Sequence, residues 1–457
     1  MNLLVKDKRF YKKMAVIAIP ISLQSMITIG VNMTDTVMVG KLGETSLSAT
    51  ALANQFVNIY QICCMGIAMG ASVLTSRFWG MQDITSLKKT ITLMLRLCIV
   101  LAVLFMLPTI LIPQLLMRMY SSDSAVIAQG VQYFKWMVYC YFLQGMTMTC
   151  TIVLRSVGQV NFPLFTSIGS FFVNILFNYM FIFGKLGVPR MEVEGAGVGT
   201  LIARVFEFSL ICGYFLFVDR KIGYRLKDLR MKCNSLIKDY VSISIPVFVS
   251  DSLLALGTSA VAMVMGRIGT GFVSANSITV VTQQLTTVVI QGICHASCIM
   301  TGHTLGHGER EKAQQQAWTF LILGLVVGIL GGGLIKVLSR PIIGLYNITP
   351  ETAQIAGELM DAIAFIVIFQ SMNSILTKGV LRGGGDTKFL MVADIIFLWA
   401  ASLPLGILAG LVWHLDAFWI YVFLKIDQIC KSIWCVFRLR SGKWIKTFSK
   451  EKMNHAK

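Results

Sequence analysis

The 457-residue sequence predicts an all-α integral membrane protein: twelve transmembrane helices in two six-helix lobes related by a pseudo-twofold along the membrane normal. Three observations predict it. Composition comes first. The chain is 55% hydrophobic and 14% charged, with mean hydropathy +0.71, where soluble domains carry about 25% charged residues. Twelve apolar runs then reach the roughly 20 residues a bilayer span needs. They lie near 14–38, 49–76, 91–117, 126–153, 163–184, 196–218, 240–264, 272–301, 316–338, 354–377, 389–412 and 417–437. Finally, the halves repeat. MVGKLG at 38–43 matches VMGRIG at 264–269, a shift of 226. At that shift Pro20 meets Pro246, Ala49 meets Ala275, Gly66 meets Gly292 and Gly80 meets Gly306. VLRSVGQV at 153–160 matches VLRGGGDT at 380–387, a shift of 227. Each unit has an even number of spans, so both insert the same way round. The expected division is a first lobe at 1–218, a basic cytoplasmic linker at 219–239, and a second lobe with a basic tail at 240–457.

The first span carries the most informative residue. Asp35 sits in an apolar stretch from Pro20 to Gly43, where a carboxylate costs about 2.5–3.5 kcal/mol on insertion scales. Gln24, Thr28, Asn32 and Asp35 fall at i, i+4, i+8 and i+11, on one helical face. That face needs a water-filled cavity or a polar partner. Pro20 lacks the N–H a helix interior uses, so a bend or local unwinding is expected there. The second span offers Asn54, Asn58 and Gln61; its counterpart, the eighth, offers Gln284, Thr287 and Gln291. These seams line a pathway or join helices. The fifth span repeats Thr166, Ser170, Asn174 and Asn178 every four residues. The sixth opens with EGAGVGT, ending at Thr200. Asp35, Asn174, Asn178 and Thr200 then form an oxygen-rich site with one ionisable member, suited to a proton or to Na⁺.

Asp35 meets Val261 in the repeat, so the acid is not duplicated. The second half has Asp251, Asp361, Asp394 and Asp427 instead. Asp251 lies in the bent start of the seventh span and is a candidate for the substrate cavity. Asp394 and Asp427 can pair with Lys388, Lys425 or Lys431. Arg155 and Arg382 end the fourth and tenth spans, and read as anchors at the inner interface. Few other basic residues lie within spans: Arg96, Lys135, Arg204, Lys425 and Lys431.

The net charge of +18 reports topology rather than nucleic acid. Twenty-eight Lys and Arg fall on the termini and even-numbered connections against seven on the odd ones, which places both termini in the cytoplasm. No cleavable signal peptide is expected. Ten of the eleven cysteines lie in apolar runs, where thiols act as small hydrophobes, so no disulfide framework is expected. Cys294-His295-x-x-Cys298 has the wrong order for haem attachment and too few ligands for a metal, His303 and His307 stand i, i+4 without a third ligand, and no metal beyond Na⁺ at Asp35 is expected. No P-loop, H-E-x-x-H or G-x-S-x-G occurs, which argues against ATP hydrolysis and the common hydrolases.

Taken together, Pro20 with Asp35 in DTVMVGKLG, NILFNYMFIFGKLGVP followed by GAGVGT, and the paired VLRSVG and VLRGGGDTK segments resemble the multidrug and toxic compound extrusion (MATE) family. The resemblance spans nearly the whole chain. It implies two six-helix lobes in a V that expel cationic amphipathic compounds in exchange for inward H⁺ or Na⁺, with no other cofactor and no enzymatic step. It assigns cation coupling to Asp35, Asn174, Asn178 and Thr200 and the helix bend to Pro20. The substrate cavity would draw on Gln24, Thr28, Asn32, Asn54, Asn58, Gln61, Ser170, Asp251, Gln284 and Gln291. The chain departs from the DinF-like pattern at Asn178, where some members have a second aspartate. Where the NorM-like branch has an acid pair in the second lobe, the tenth span holds Gln370, Ser371 and Asn373. Expected partners are small molecules and the lipid bilayer, not nucleic acid, with the chain a monomer in the cell inner membrane. The alternative is a flippase for lipid-linked precursors in the same superfamily, which calls for a more cationic central cavity.

Overall fold

The computed structural model describes residues 4–344 and 348–447. All regular structure among them is helical. In chain order the elements are α1 (Lys8–Gly40), α2 (Glu44–Gly80), α3 (Ile84–Leu111), the short α4 (Pro113–Arg118), α5 (Ser124–Ser156), α6 (Asn161–Phe183) and α7 (Glu192–Gly213). After the linker come α8 (Asn234–Ile268), α9 (Thr270–Gly306), α10 (Arg310–Ile343), α11 (Pro350–Ser374), α12 (Thr387–Asp394), α13 (Leu403–Ile407), α14 (Ala417–Leu424) and α15 (Ile426–Arg440).

Ten helices among the described residues are long and apolar enough to span a bilayer, one of them the run Thr387–Val412, in which π-helical turns join α12 to α13 and extend it. An eleventh, α9, bends by 46° between Gly271–Gln284 and Thr286–Gly306. The twelfth expected span is interrupted at Lys425, where φ leaves the helical region between α14 and α15. Its second piece carries Asp427 and Lys431, charges that a lipid-facing helix would not hold. Large apolar side chains stand exposed along the spans, such as Val100, Leu104 and Leu111 of α3, as a hydrocarbon solvent requires.

Local chemistry explains the ends. Asp83 caps α3 through Ser86 N at 3.0 Å, and Asp123 caps α5 through Ala125 N at 2.8 Å. Thr349 caps α11 ahead of Pro350 at the first helical position. Gly184 closes α6 with φ +66°, a conformation open to glycine at little cost.

Two compact units emerge. One comprises 23–75 and 83–244. The other comprises 1–22, 76–82 and 245–457. The second therefore takes in the start of α1 and the end of α2, which the six-plus-six reading assigned to the first lobe. The physical reason is close backbone packing. A Cβ on Gly292 would strike Ser22 and the Ala18 carbonyl, and one on Gly302 would strike Ser76. α1 continues unbroken through Pro20, without the expected unwinding.

The linker is ordered and packs on the first unit. Thr92 Oγ1 meets the Tyr224 hydroxyl at 2.9 Å, and Lys88 pairs with Asp228 at 2.8 Å. Burial opposes ionisation of Asp228, but the Lys88 ammonium and the Arg225 backbone N–H hold its carboxyl below the usual range. The basic tail is anchored as far as residue 447; residues 448–457, its remainder, lie outside the described residues. Trp444 is fully buried and donates to Gln314 at 2.7 Å, while Arg77 donates to the Lys446 carbonyl at 2.6 Å.

Candidate functional site

The first unit holds a cavity of about 370 Å³ walled by α1, α2, α5, α6 and α7. Thr28, Asn32 and Asp35 of α1 line it, with Asn54, Asn58 and Gln61 of α2, Ser170 and Asn174 of α6, and Thr200 of α7. Asn178 Nδ2 donates to Asp35 Oδ1 at 2.6 Å and to Asn174 Oδ1 at 3.3 Å. Both asparagines are buried, at 1% and 3% exposure. The Asn178 Oδ1 has no donor. A buried oxygen without a partner, two bonds from an amide nitrogen that already donates to a carboxylate, suits a site that accepts a cation. The oxygens of Asp35, Asn174, Asn178 and Thr200 are hard donors of the kind Na⁺ takes. The close approach of α6 and α7 depends on the glycines of GAGVG. A Cβ on Gly199 would collide with Asn178 Oδ1, and one on Gly195 with the Phe181 backbone.

Gln24 does not join this cavity. It donates to Ser167 at 2.8 Å and accepts from Arg155, so the α1 face divides into an open stretch and a bonded one. Arg155 is thus an internal clamp on α1 rather than an interface anchor. The repeat does the same. Arg382, 5% exposed, grips Asp251 at 3.0 Å. Asp251, expected in the substrate cavity, is instead the counter-ion of this arginine. Gln284 and Gln291 are exposed and line neither cavity described here; the adjacent Gln283 turns inward and donates to Gln370 at 2.8 Å. A one-residue step on a helix rotates a side chain by about 100°, and the 46° bend of α9 falls at this point. Of the candidate partners for Asp394 and Asp427, Lys431 takes both.

The model of the MatE family matches residues 20–180 and 246–429, most of the chain. The chain belongs to the MATE family. Members of this family are membrane transporters, not enzymes. The probable multidrug resistance protein NorM of Thermotoga maritima is 23% identical over 95% of this chain and 93% of its own. The uncharacterized transporter YisQ of Bacillus subtilis is 24% identical over 90% of each. Among solved structures, the Vibrio cholerae MATE transporter VcmN in the bent form superposes with a TM-score of 0.85 at 16% identity, covering 95% of this chain and 97% of that one. A MOP superfamily transporter from Pyrococcus furiosus, described by a binding pocket of reverse polarity, superposes at 0.83 with 19% identity, covering 97% of this chain and 100% of that one. These structures establish the MATE fold.

Within this MATE chain the cavity also holds groups that sequence reasoning did not place there. Arg204 and Glu207 line it and pair at 2.8 Å, i to i+3 on α7. Tyr133 of α5 lines it too and donates to Asn54 at 3.2 Å. A signal for the first pair was present. Two opposite charges three residues apart in an apolar span face inward by necessity.

Proposed function

We propose that this chain is a secondary antiporter that exports cationic amphipathic compounds in exchange for inward H⁺ or Na⁺ by alternating access. It works in the cell inner membrane as a monomer with both termini cytoplasmic. The observation that carries the reading is the Asp35–Asn178–Asn174 chain of hydrogen bonds opening on a water-accessible cavity, with an unpaired buried oxygen on Asn178. Asp35, Asn174, Asn178 and Thr200 take the proton or Na⁺. Ionised Asp35 favours a bound cationic substrate. Neutralised Asp35 loses that attraction, α1 bends at Pro20, and the substrate leaves outward. The membrane potential contributes about 2.3 kcal/mol per charge per 100 mV. The name of the Thermotoga relative supports the multidrug class.

Ethidium efflux from energised cells tests this. Asp35→Asn is expected to reduce efflux to the level of cells lacking the protein, and wild-type efflux in that variant overturns the reading. Uptake into proteoliposomes driven by a pH gradient or by a Na⁺ gradient separates the two ions. The flippase alternative draws on a second cavity, of about 230 Å³, in the other unit, where four cationic side chains face two carboxylates.

A further inference from the structure

This cavity in the second unit has no part in the coupling scheme. Lys378, Arg382, Lys425 and Lys431 line it against Asp394 and Asp427. Their pairing is uneven. Lys431, 2% exposed, takes both carboxylates, at 3.1 Å to Asp394 and 2.9 Å to Asp427. Asp394 also accepts from Ser250, and Asp427 from Gln428 at 2.7 Å, so the lone pairs of both acids are largely engaged. Arg382 is neutralised by Asp251, which does not line the cavity. Among the described residues, no carboxylate stands within ion-pair distance of Lys378 or Lys425. Arg382 Nε, on a side chain 5% exposed, has no partner either. Counting Asp251, four cations face three carboxylates, a surplus of one positive charge.

The backbone at these two lysines is irregular. Lys378 rides on a wide π-helical turn, Ile375–Leu381, and Lys425 sits at the break between α14 and α15. Such turns concentrate at functional sites, and broken spans persist where they line a cavity. Lys378 is exposed at the mouth and Lys425 is half-buried; an ammonium partly withdrawn from water with no carboxylate in contact gains from a bound anion. The volume falls below the roughly 300–1,000 Å³ of pockets that enclose a drug-sized molecule, so the site fits one group of a ligand.

We infer that this cavity receives a single carboxylate of a transported compound, held by Lys425 and Lys378 with Arg382 Nε as a further donor. Export substrates then include zwitterions with a cationic and an anionic end. The surplus of one charge matches a carboxylate better than the multiply charged diphosphate of a lipid-linked precursor. The inference relies on the export reading for the fate of the ligand, and not for its binding.

Binding is therefore measured without an ion gradient, on the full-length protein in lipid nanodiscs. The probes are a rhodamine dye bearing a free benzoate and the methyl ester of the same dye, read by fluorescence anisotropy. The wild type is expected to bind the acid about tenfold more tightly than the ester, the lower end of what charge-assisted hydrogen bonds contribute. Lys378→Met with Lys425→Met brings that ratio to about one, Lys425→Arg preserves it, and benzoate displaces the acid dye. If the double variant does not fold, Lys378→Met read against Lys378→Arg serves instead, and the ratio is expected to fall only in the former. Equal affinity for the two dyes in the wild type, or a ratio unmoved when lysine becomes methionine, overturns the assignment. So does displacement of the acid dye by chloride or by a polyprenyl diphosphate but not by benzoate. Failure here leaves Asp35-coupled export standing, and an Asp35→Asn variant that still effluxes ethidium leaves this binding result intact.

Discussion

The cavity of the first half draws on α1 and α5 and that of the second on α8 and α11, which repeat one another in sequence, yet the charges of the two cavities run in opposite directions. Asp35 and Glu207 face the single cation Arg204 in the first, while four cations face Asp394 and Asp427 in the second. The repeat preserved the frame. Arg155 ends its span and holds α1 four residues beyond Pro20, and Arg382 ends its span and holds α8 five residues beyond Pro246. It did not preserve the chemistry, since Val261 stands where Asp35 stands and an ion pair replaces a hydrogen bond from arginine to an uncharged glutamine. A duplicated helix keeps its packing because glycines and arginines constrain backbones, while each polar lining is free to change so long as its own groups are satisfied.

That comparison can be broken at several points. Transport gives the largest effect. Asp35→Asn should remove ethidium efflux, whereas Asp394→Asn, in the other cavity, should lower it far less; the reverse order places coupling in the second half. Next are the two arginine clamps. Arg382→Ala leaves the Asp251 carboxylate without its partner and should cost about 3 kcal/mol, the scale of a broken buried pair. Arg155→Ala leaves a neutral glutamine that still bonds Ser167, and should cost about 1 kcal/mol. Denaturation of the purified protein in matched detergent checks both, and equal losses would mean that the two clamps differ only in residue names.

Smaller effects sharpen the first cavity alone. Gly199→Ala drives a methyl into Asn178 Oδ1 and should cost about 1–3 kcal/mol, whereas Gly213→Ala, on the same helix with nothing within 4 Å, should be neutral or slightly stabilising. Thermal unfolding of the two variants tests the contrast. Least of all, Lys88→Ala should cost under about 1 kcal/mol, because Lys88 and Asp228 are both partly exposed. The pKa of Asp228 is depressed on folding, so its contribution is complete above pH about 4 and fades as pH falls through the lowered value. The wild-type advantage over Lys88→Ala should shrink on acidification, and an advantage that grew instead would remove Lys88 as the cause.

Much was readable from the chain alone. Length, hydropathy and the repeat specify an all-helical membrane protein, because apolar runs of spanning length have no other stable form in lipid. The first-half site was also readable, because Asp35 is an isolated intramembrane acid and the fifth-span polar residues recur at helical period. Which polar residues bond to one another was not. Gln24 shares the Asp35 face but is taken by Arg155, Asp251 is consumed by Arg382, and Gln283 turns inward where Gln284 does not. Each outcome depends on a partner more than 80 residues away, or on a bend within one helix, and neither leaves a periodic trace. Sequence by itself determined what must be buried; only the tertiary structure decided which buried charges are neutralised and which are left facing a cavity, because pairing depends on distances between helices that the linear order does not contain.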